Sequence, residues 1–103
     1  MLVTAEKLME IIQQAGVPCA IYRFLTPQKL PYAVIRSDEP FNYGADDNVL
    51  MEIEHFELEL YTKGKDIKTE KAIQTALKEN DIYYIKSRDI DLPEKVNEVI
   101  YSI

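Results

Sequence analysis

The chain has 103 residues with 12 basic and 18 acidic side chains, which gives a formal net charge of −6 and an isoelectric point near 4.7. This length fits one domain, and a composition of 47% hydrophobic and 29% charged residues is typical of globular proteins. The acidic balance argues against a general nucleic-acid binder, a single cysteine excludes an internal disulfide, and no apolar stretch is long enough to span a bilayer.

The first third of the chain predicts one helix followed by two strands. A helix is predicted over residues 4–15, with Thr4 as a good N-cap. It stops before Gly16, because glycine readily takes the left-handed conformation after a helix. Its apolar side chains recur at helical spacing: Leu8, Ile11, Ile12 and Ala15. Strand-like runs follow at 19–24 and 32–37, joined by a link that contains two prolines.

A long extended run over residues 49–62 changes its hydrophobic phase midway. Met51 and Ile53 are apolar at odd positions, whereas Phe56, Leu58 and Leu60 are apolar at even positions. One buried face cannot serve both halves of a strand, because strand side chains alternate with a period of two. Either a bulge lies near positions 54 and 55, or the first half leaves the core as a projecting hairpin arm over 38–55; we favour the arm.

The rest of the chain predicts a second helix and two more strands. The helix covers 66–80 behind an Asp66 cap, and strands at 82–86 and 96–103 are joined by a polar loop over 87–95. The apolar stripe of this helix consists of Ile67, Ala72, Ile73, Ala76 and Leu77. The order α-β-β-β-α-β-β predicts a single α+β domain, 1–103, whose antiparallel sheet carries both helices on one face.

The negative charge is concentrated in one part of the chain. Residues 38–62 contain eight acidic and no basic side chains, whereas 1–37 has a net charge of +2 and 63–103 is neutral. Four of these carboxylates define a predicted acidic face: Glu52, Glu54, Glu57 and Glu59. Such a face either keeps the protein soluble, or presents negative charge to a basic partner or to DNA that must pass without binding.

The sequence offers no recognisable catalytic or cofactor chemistry. One cysteine, Cys19, and one histidine, His55, cannot supply a four-ligand zinc site, and nothing in the sequence pairs them for nucleophilic catalysis. The three glycines form no phosphate-binding motif. We therefore predict no catalytic residue, no metal site and no cofactor, and interpret the chain as a non-enzyme.

Six segments spread over nearly the whole chain form a recognisable pattern: Thr4-Ala5-Glu6-Lys7-Leu8, Tyr22-Arg23-Phe24, Pro31-Tyr32, Tyr43-Gly44-Ala45-Asp46-Asp47, Glu57-Leu58-Glu59-Leu60-Tyr61-Thr62-Lys63 and Val99-Ile100-Tyr101. This pattern resembles a known family, the small tail-terminator (tail-completion, head–tail joining) proteins of tailed phages and prophages of Gram-positive bacteria.

The resemblance implies a structural virion assembly protein with an α+β fold and no catalytic residues. Members assemble as a homo-oligomeric ring, a hexamer in the best-known cases, which caps the tail tube, docks it to the head connector protein and lets DNA pass. Assembly in the host cytoplasm and a final place in the virion agree with the absence of a recognisable signal peptide.

The arm supplies the candidate residues for subunit contact in such a ring: Tyr43, Asp46, Asp47, Met51, Ile53 and His55. Two other functions stay open from the sequence. One is another head–tail connector or minor tail component, and the other is a bacterial adaptor module that binds a basic partner through the acidic strand. No membrane partner is expected.

Overall fold

The computed structural model describes residues 3–37 and 55–103, which form two helices and five strands. In chain order these are α1 (Ala5–Gln14), β1 (Cys19–Ile21), β2 (Tyr32–Arg36), β3 (Glu57–Lys63), α2 (Ile67–Glu79), β4 (Ile85–Leu92) and β5 (Val96–Ser102). A short 3₁₀ turn, Pro93–Lys95, joins the last two strands. The α+β class and the order α-β-β-β-α-β-β are confirmed.

Both helices begin at side-chain caps that the sequence predicts. The Thr4 hydroxyl accepts a hydrogen bond from the Lys7 backbone N–H at 3.1 Å, and the Asp66 carboxylate accepts one from the Thr69 backbone N–H at 3.0 Å. These acceptors satisfy first-turn N–H groups that have no partner inside a helix. Hydrogen bonding to Thr69 lowers the pKa of Asp66 below its ordinary value.

The five strands form one sheet in the order β1-β2-β3-β5-β4. Three neighbouring pairs are antiparallel, but β1 and β2 are parallel, so the expected antiparallel sheet is wrong at this edge. The predicted strand 19–24 is also too long, because β1 ends at Ile21 and Tyr22 has a φ of 69° that turns the chain out of the strand. The link 22–31 then returns the chain to the end where β1 began.

The hydrophobic core lies between the sheet and both helices. Alternate strand residues form the side that we call the helix face: Cys19, Ala33, Ile35, Leu58, Leu60, Val99 and Tyr101. Leu8 and Ile12 of α1 and Ile73 and Leu77 of α2 pack in the same cluster, which confirms that both helices cover one face. The even-numbered apolar phase that starts at Phe56 is likewise confirmed, because Phe56 is only 1% exposed.

The region predicted as a polar loop is largely strand. β4 extends from Ile85 to Leu92, with a bulge between Lys86 and Arg88, whereas the sequence predicts a strand that ends at residue 86. β4 pairs only with β5, and most of its side chains are exposed. A strand at the sheet edge with two solvated sides has no need for apolar alternation, and charged residues and bulges protect such edges from pairing with other chains.

The inner side of α2 differs from the predicted stripe in two residues. Ile73 and Leu77 are buried as expected, but Ile67 is 58% exposed and Glu70 is 4% exposed. Positions 70, 73 and 77 share one side of a helix by their spacing of three and four. A glutamate therefore occupies the first inward position, where two lysines neutralise it as described below.

Candidate interaction surface on the open sheet face

No helix in the described chain covers the second side of the sheet, which we call the open face. Residues that alternate with the core positions form it, because strand side chains point to opposite sides in turn. The strand pairings assign to it, among others, Tyr32, Val34, Arg36, Glu57, Glu59, Tyr61, Lys63, Arg88, Ile90, Glu98, Ile100 and Ser102. Glu57 and Glu59 of the predicted acidic face thus lie on the same side of β3.

A ladder of charged and phenolic groups crosses four strands of the open face. Arg36 Nε lies 3.0 Å from Glu59 Oε1, and the Tyr61 hydroxyl lies 2.9 Å from that same oxygen. The same hydroxyl lies 2.8 Å from Glu98 Oε2, and Arg88 Nε lies 3.3 Å from Glu98 Oε1. The charges of Glu59 and Glu98 are each paired with an arginine, so this part of the acidic strand is not a surface of uncompensated charge.

Tyr61 is the central group of the ladder. A phenol has one proton and donates it to one carboxylate at a time, so Glu59 and Glu98 share this donor. Burial, together with the hydrogen bonds to the two carboxylates, raises the pKa of Tyr61 well above its ordinary value. The hydroxyl therefore stays protonated at any physiological pH and acts as a fixed hydrogen-bond donor.

An aromatic row continues from the ladder to the link between β1 and β2. The Tyr32 and Tyr61 rings have centroids 5.3 Å apart, and Phe24 meets Tyr32 edge to face at 5.6 Å. Together with the link they border an open groove of about 410 Å³ that we call the Arg–Tyr groove. Its lining residues are Tyr22, Arg23, Phe24, Leu25, Thr26, Pro27, Gln28, Tyr32, Val34, Arg36 and Tyr61.

The charged groups of the Arg–Tyr groove are both arginines. Arg36 uses Nε to pair with Glu59, whereas Arg23 is exposed and has no ion-pair partner in the described part of the chain. Leu25, at the rim, is 97% exposed. Guanidinium groups beside aromatic rings suit a carboxylate-bearing peptide, because the rings offer apolar contact while the arginines bind oxygens.

Cys19 and His55, which the sequence analysis considered for catalysis, lie in different environments. Cys19 belongs to the buried core, and burial raises its pKa to about 12, which keeps the thiol protonated at neutral pH. His55 is exposed and lies two residues before the first residue of β3. Among the residues that the structure describes, no group of three or more histidine, cysteine or carboxylate side chains is arranged to hold a metal ion.

A second charged cluster joins α2 to β4 on the helix side of the sheet. Glu70 Oε1 lies 3.0 Å from Lys86 Nζ and Glu70 Oε2 lies 2.8 Å from Lys65 Nζ, while both lysines also contact Asp89. Hydrogen bonds from Lys65 and then Asn97 lower the pKa of Asp89, and hydrogen bonds to Asp89 and Glu70 raise the pKa of Lys65. The lysines are pinned to partners, so we interpret this cluster as a structural clamp.

Most of the predicted contact residues lie outside the described residues. These are Tyr43, Asp46, Asp47, Met51 and Ile53 of the predicted arm, together with Glu52 and Glu54 of the predicted acidic face. The two ends of that segment are adjacent, since the Ser37 hydroxyl donates a hydrogen bond to the His55 carbonyl at 3.1 Å. Sequence reasoning missed the Arg–Tyr groove, although the run Tyr22-Arg23-Phe24 next to a proline-rich link was its visible signal.

Comparisons with known proteins give no relative from which to transfer a function: no protein-family model, curated protein or solved structure matches this chain. Within the described ranges, neither helix is long and apolar enough to cross a membrane. The function must therefore be argued from the open face and from the charge distribution.

Proposed function

We propose that this protein is a structural assembly protein of a tailed phage or prophage, which forms an oligomeric ring that caps the tail tube and joins it to the head. The proposal starts from the family resemblance described above, whose members share the α+β class. The observation that carries it further is the open sheet face, which offers an extended surface for contact with other subunits.

The composition of the open face suits protein–protein contact. Tyrosine and arginine are enriched in protein interfaces, and both residue types line the Arg–Tyr groove and the charged ladder. The ladder holds its side chains in fixed positions before any partner arrives, so little side-chain freedom is lost on binding. Such preorganisation favours a repeating subunit contact.

The charge distribution is compatible with a ring through which DNA passes. The residues that the structure describes contain 12 basic and 12 acidic side chains, so the net charge of −6 comes from 38–54. A lumen lined by this segment would repel the phosphate backbone and let DNA slide, whereas a basic lumen would retain it.

No comparable observation favours the adaptor function. That function requires uncompensated carboxylates on the acidic strand, but Glu59 and Glu98 are paired with Arg36 and Arg88 on the open face. Of the predicted acidic face, Glu57 is the one described carboxylate outside the ladder. A basic partner that bound Glu59 or Glu98 would thus have to displace an arginine that is already in place.

The ring is tested by light scattering on a size-exclusion column, combined with negative-stain electron microscopy. We expect a discrete oligomer near six subunits, as the resemblance implies, with a central hole in class averages. The location is tested by labelling particles from the source strain with an antibody against this protein. Label at the tail–head junction supports a terminator, label elsewhere on the tail supports another tail component, and absence from purified particles would refute the proposal.

A further inference from the structure

We infer that the Arg–Tyr groove binds the acidic segment 38–54 of a second copy of this chain, with Arg23 as the main charged contact. The inference rests on the proposed function in one respect, namely that a ring supplies a neighbouring copy. It adds the identity of the two surfaces that meet, which neither the resemblance nor the fold class specifies.

The groove has the features of a receptor for an acidic peptide. The link 22–31 contributes Arg23 and Lys29 and no acidic side chain, so its own charge is +2. Arg23 is exposed and has no partner in the described ranges, while Phe24 and Tyr32 lie edge to face beside it. A binding peptide would gain charge pairing at Arg23 without breaking an existing ion pair.

The segment has the complementary composition. Residues 38–54 contain six acidic side chains and no basic one. They also contain apolar and aromatic residues suited to an aromatic groove, among them Phe41, Tyr43, Met51 and Ile53. Since the described residues are neutral as a whole, this segment is the part of the chain with a large net charge. Arg23 lines the groove and has no ion-pair partner within residues 3–37 and 55–103.

The geometry of the described ends allows the segment to reach a neighbour. Ser37 and His55 lie side by side at the end of the β2–β3 hairpin, so 17 residues start and finish at one point. At roughly 3.3–3.6 Å per extended residue, a chain tethered at both ends reaches about 28 Å from that point. That distance is sufficient to cross into a subunit that packs beside the first.

Contact between a segment on one copy and a groove on the next joins two different surfaces. Such head-to-tail contacts produce rings when the rotation between neighbours closes. A segment that occupied the groove of its own copy would not connect one subunit to another. The inference therefore commits to exchange between copies. Occupancy within one copy is an outcome that the experiments below would expose.

The first experiment uses the full-length double variant Asp46→Asn with Asp47→Asn, whose weakened segment leaves the grooves free. This protein is titrated into a fluorescein-labelled peptide of residues 38–54, and the anisotropy is followed. We expect saturable binding that weakens as salt rises and that Arg23→Glu reduces about tenfold, because a like charge then faces the peptide. Lys29→Glu is the matched control, since it makes the same charge change in the same link but does not line the groove. No binding, or an equal loss in both variants, would overturn the inference.

The second experiment measures the mass of two variants by light scattering, alone and mixed. Arg23→Glu removes the groove contact, and the double variant Asp46→Asn with Asp47→Asn weakens the segment. We expect each alone to have a lower mass than the unaltered chain, and an equimolar mixture to form heterodimers, because one intact groove then meets one intact segment. Circular dichroism melting checks that both variants remain folded.

The outcomes separate this inference from the proposed function. If both variants keep the mass of the unaltered ring, the inference is overturned and the ring function stands. This outcome includes the case in which each segment occupies the groove of its own copy. A discrete oligomer without a central hole that Arg23→Glu dissociates would refute the ring and support the inference, whereas a monomeric unaltered chain would refute both.

Discussion

Replacing Glu70 by glutamine tests whether the buried carboxylate holds α2 against β4. The side chain is only 5% exposed, and its two oxygens lie 2.8 Å and 3.0 Å from the ammonium groups of Lys65 and Lys86. Glutamine keeps the shape of the side chain but replaces one oxygen by an NH₂ group. Because glutamine is uncharged, both ion pairs are lost. Its carbonyl oxygen can still accept the hydrogen bond from Lys86, whereas its NH₂ group faces the ammonium of Lys65 and cannot accept from it.

The expected loss follows from the burial of each partner. Removing one member of a fully buried ion pair costs about 3–5 kcal/mol, because the other charge is left without solvent. Here Lys65 and Lys86 are 43% and 36% exposed and also contact Asp89, so both recover hydration and keep one anion. We therefore expect Glu70→Gln to lower the free energy of unfolding by about 1–2 kcal/mol, close to the loss of one charged hydrogen bond.

The measurement is urea unfolding at pH 7, followed by far-ultraviolet circular dichroism. Glu79→Gln is the matched control, because it makes the same change in the same helix at an exposed position in the last turn. We expect the control to change stability by less than about 0.5 kcal/mol. Equal effects of the two substitutions would refute the reasoning, since burial and pairing would then contribute nothing.

Three further predictions concern titrating groups. Lys65 holds the pKa of Asp89 below its ordinary value, so the ionised Asp89 stabilises the fold above about pH 4 and this stabilisation is lost in more acidic solution. Asp89→Asn should therefore reduce the fall in the free energy of unfolding, measured with urea, as the pH is lowered below about 4. The pKa of Tyr61 is raised in the fold, so its protonated hydroxyl stabilises the protein below about pH 10, and this stabilisation is lost as the pH rises further. Tyr61→Phe should therefore reduce the fall in the free energy of unfolding above about pH 10, measured in the same way. The thiol of Cys19 should react with a thiol reagent in urea but hardly at all when native; rapid native reaction would contradict its burial.

The helices could be predicted closely because their signals are local. Thr4 and Asp66 cap the two helices, and the apolar residues recur at a spacing that the chain itself sets within two turns. The observed α1 and α2 are within one residue of the predicted bounds at each end. The burial of the even-numbered residues of β3 could be predicted equally well, because the alternation of apolar and polar residues is also a local pattern.

The two strands that were predicted wrongly, β1 and β4, depend on partners that are distant in the sequence. β4 carries charged residues on both sides, and its strand conformation is stabilised by pairing with β5 rather than by its own side chains. The direction of β1 depends on how the link 22–31 travels before it enters β2, and a left-handed Tyr22 gives no signal in the sequence. Both errors arise where tertiary pairing overrides local preference.

In the candidate site too, the local pattern was predicted and the distant pairing was not. The spacing of Glu57 and Glu59 predicts that they share a side of a strand, and they do. The partner of Glu59 is 23 residues away at Arg36, and the chain pattern contains no hint of that pairing. The carboxylate that looked like exposed acidic surface is consequently a buried member of a ladder.

Taken together, these pairings divide the charges of the chain into two kinds. Across the sheet, acidic groups such as Glu59, Glu70 and Glu98 are matched by cations on neighbouring elements, so the described body is neutral and one copy can approach another without strong repulsion. Residues 38–54 contain no cation, and bringing several such segments into one assembly costs repulsive energy that must be offset by a cation on another element. Arg23, exposed beside the aromatic rings of the Arg–Tyr groove, is a cation situated to supply part of that offset. In the proposed assembly, the charge that directs each segment to a groove would also be the charge that Arg23 offsets in part.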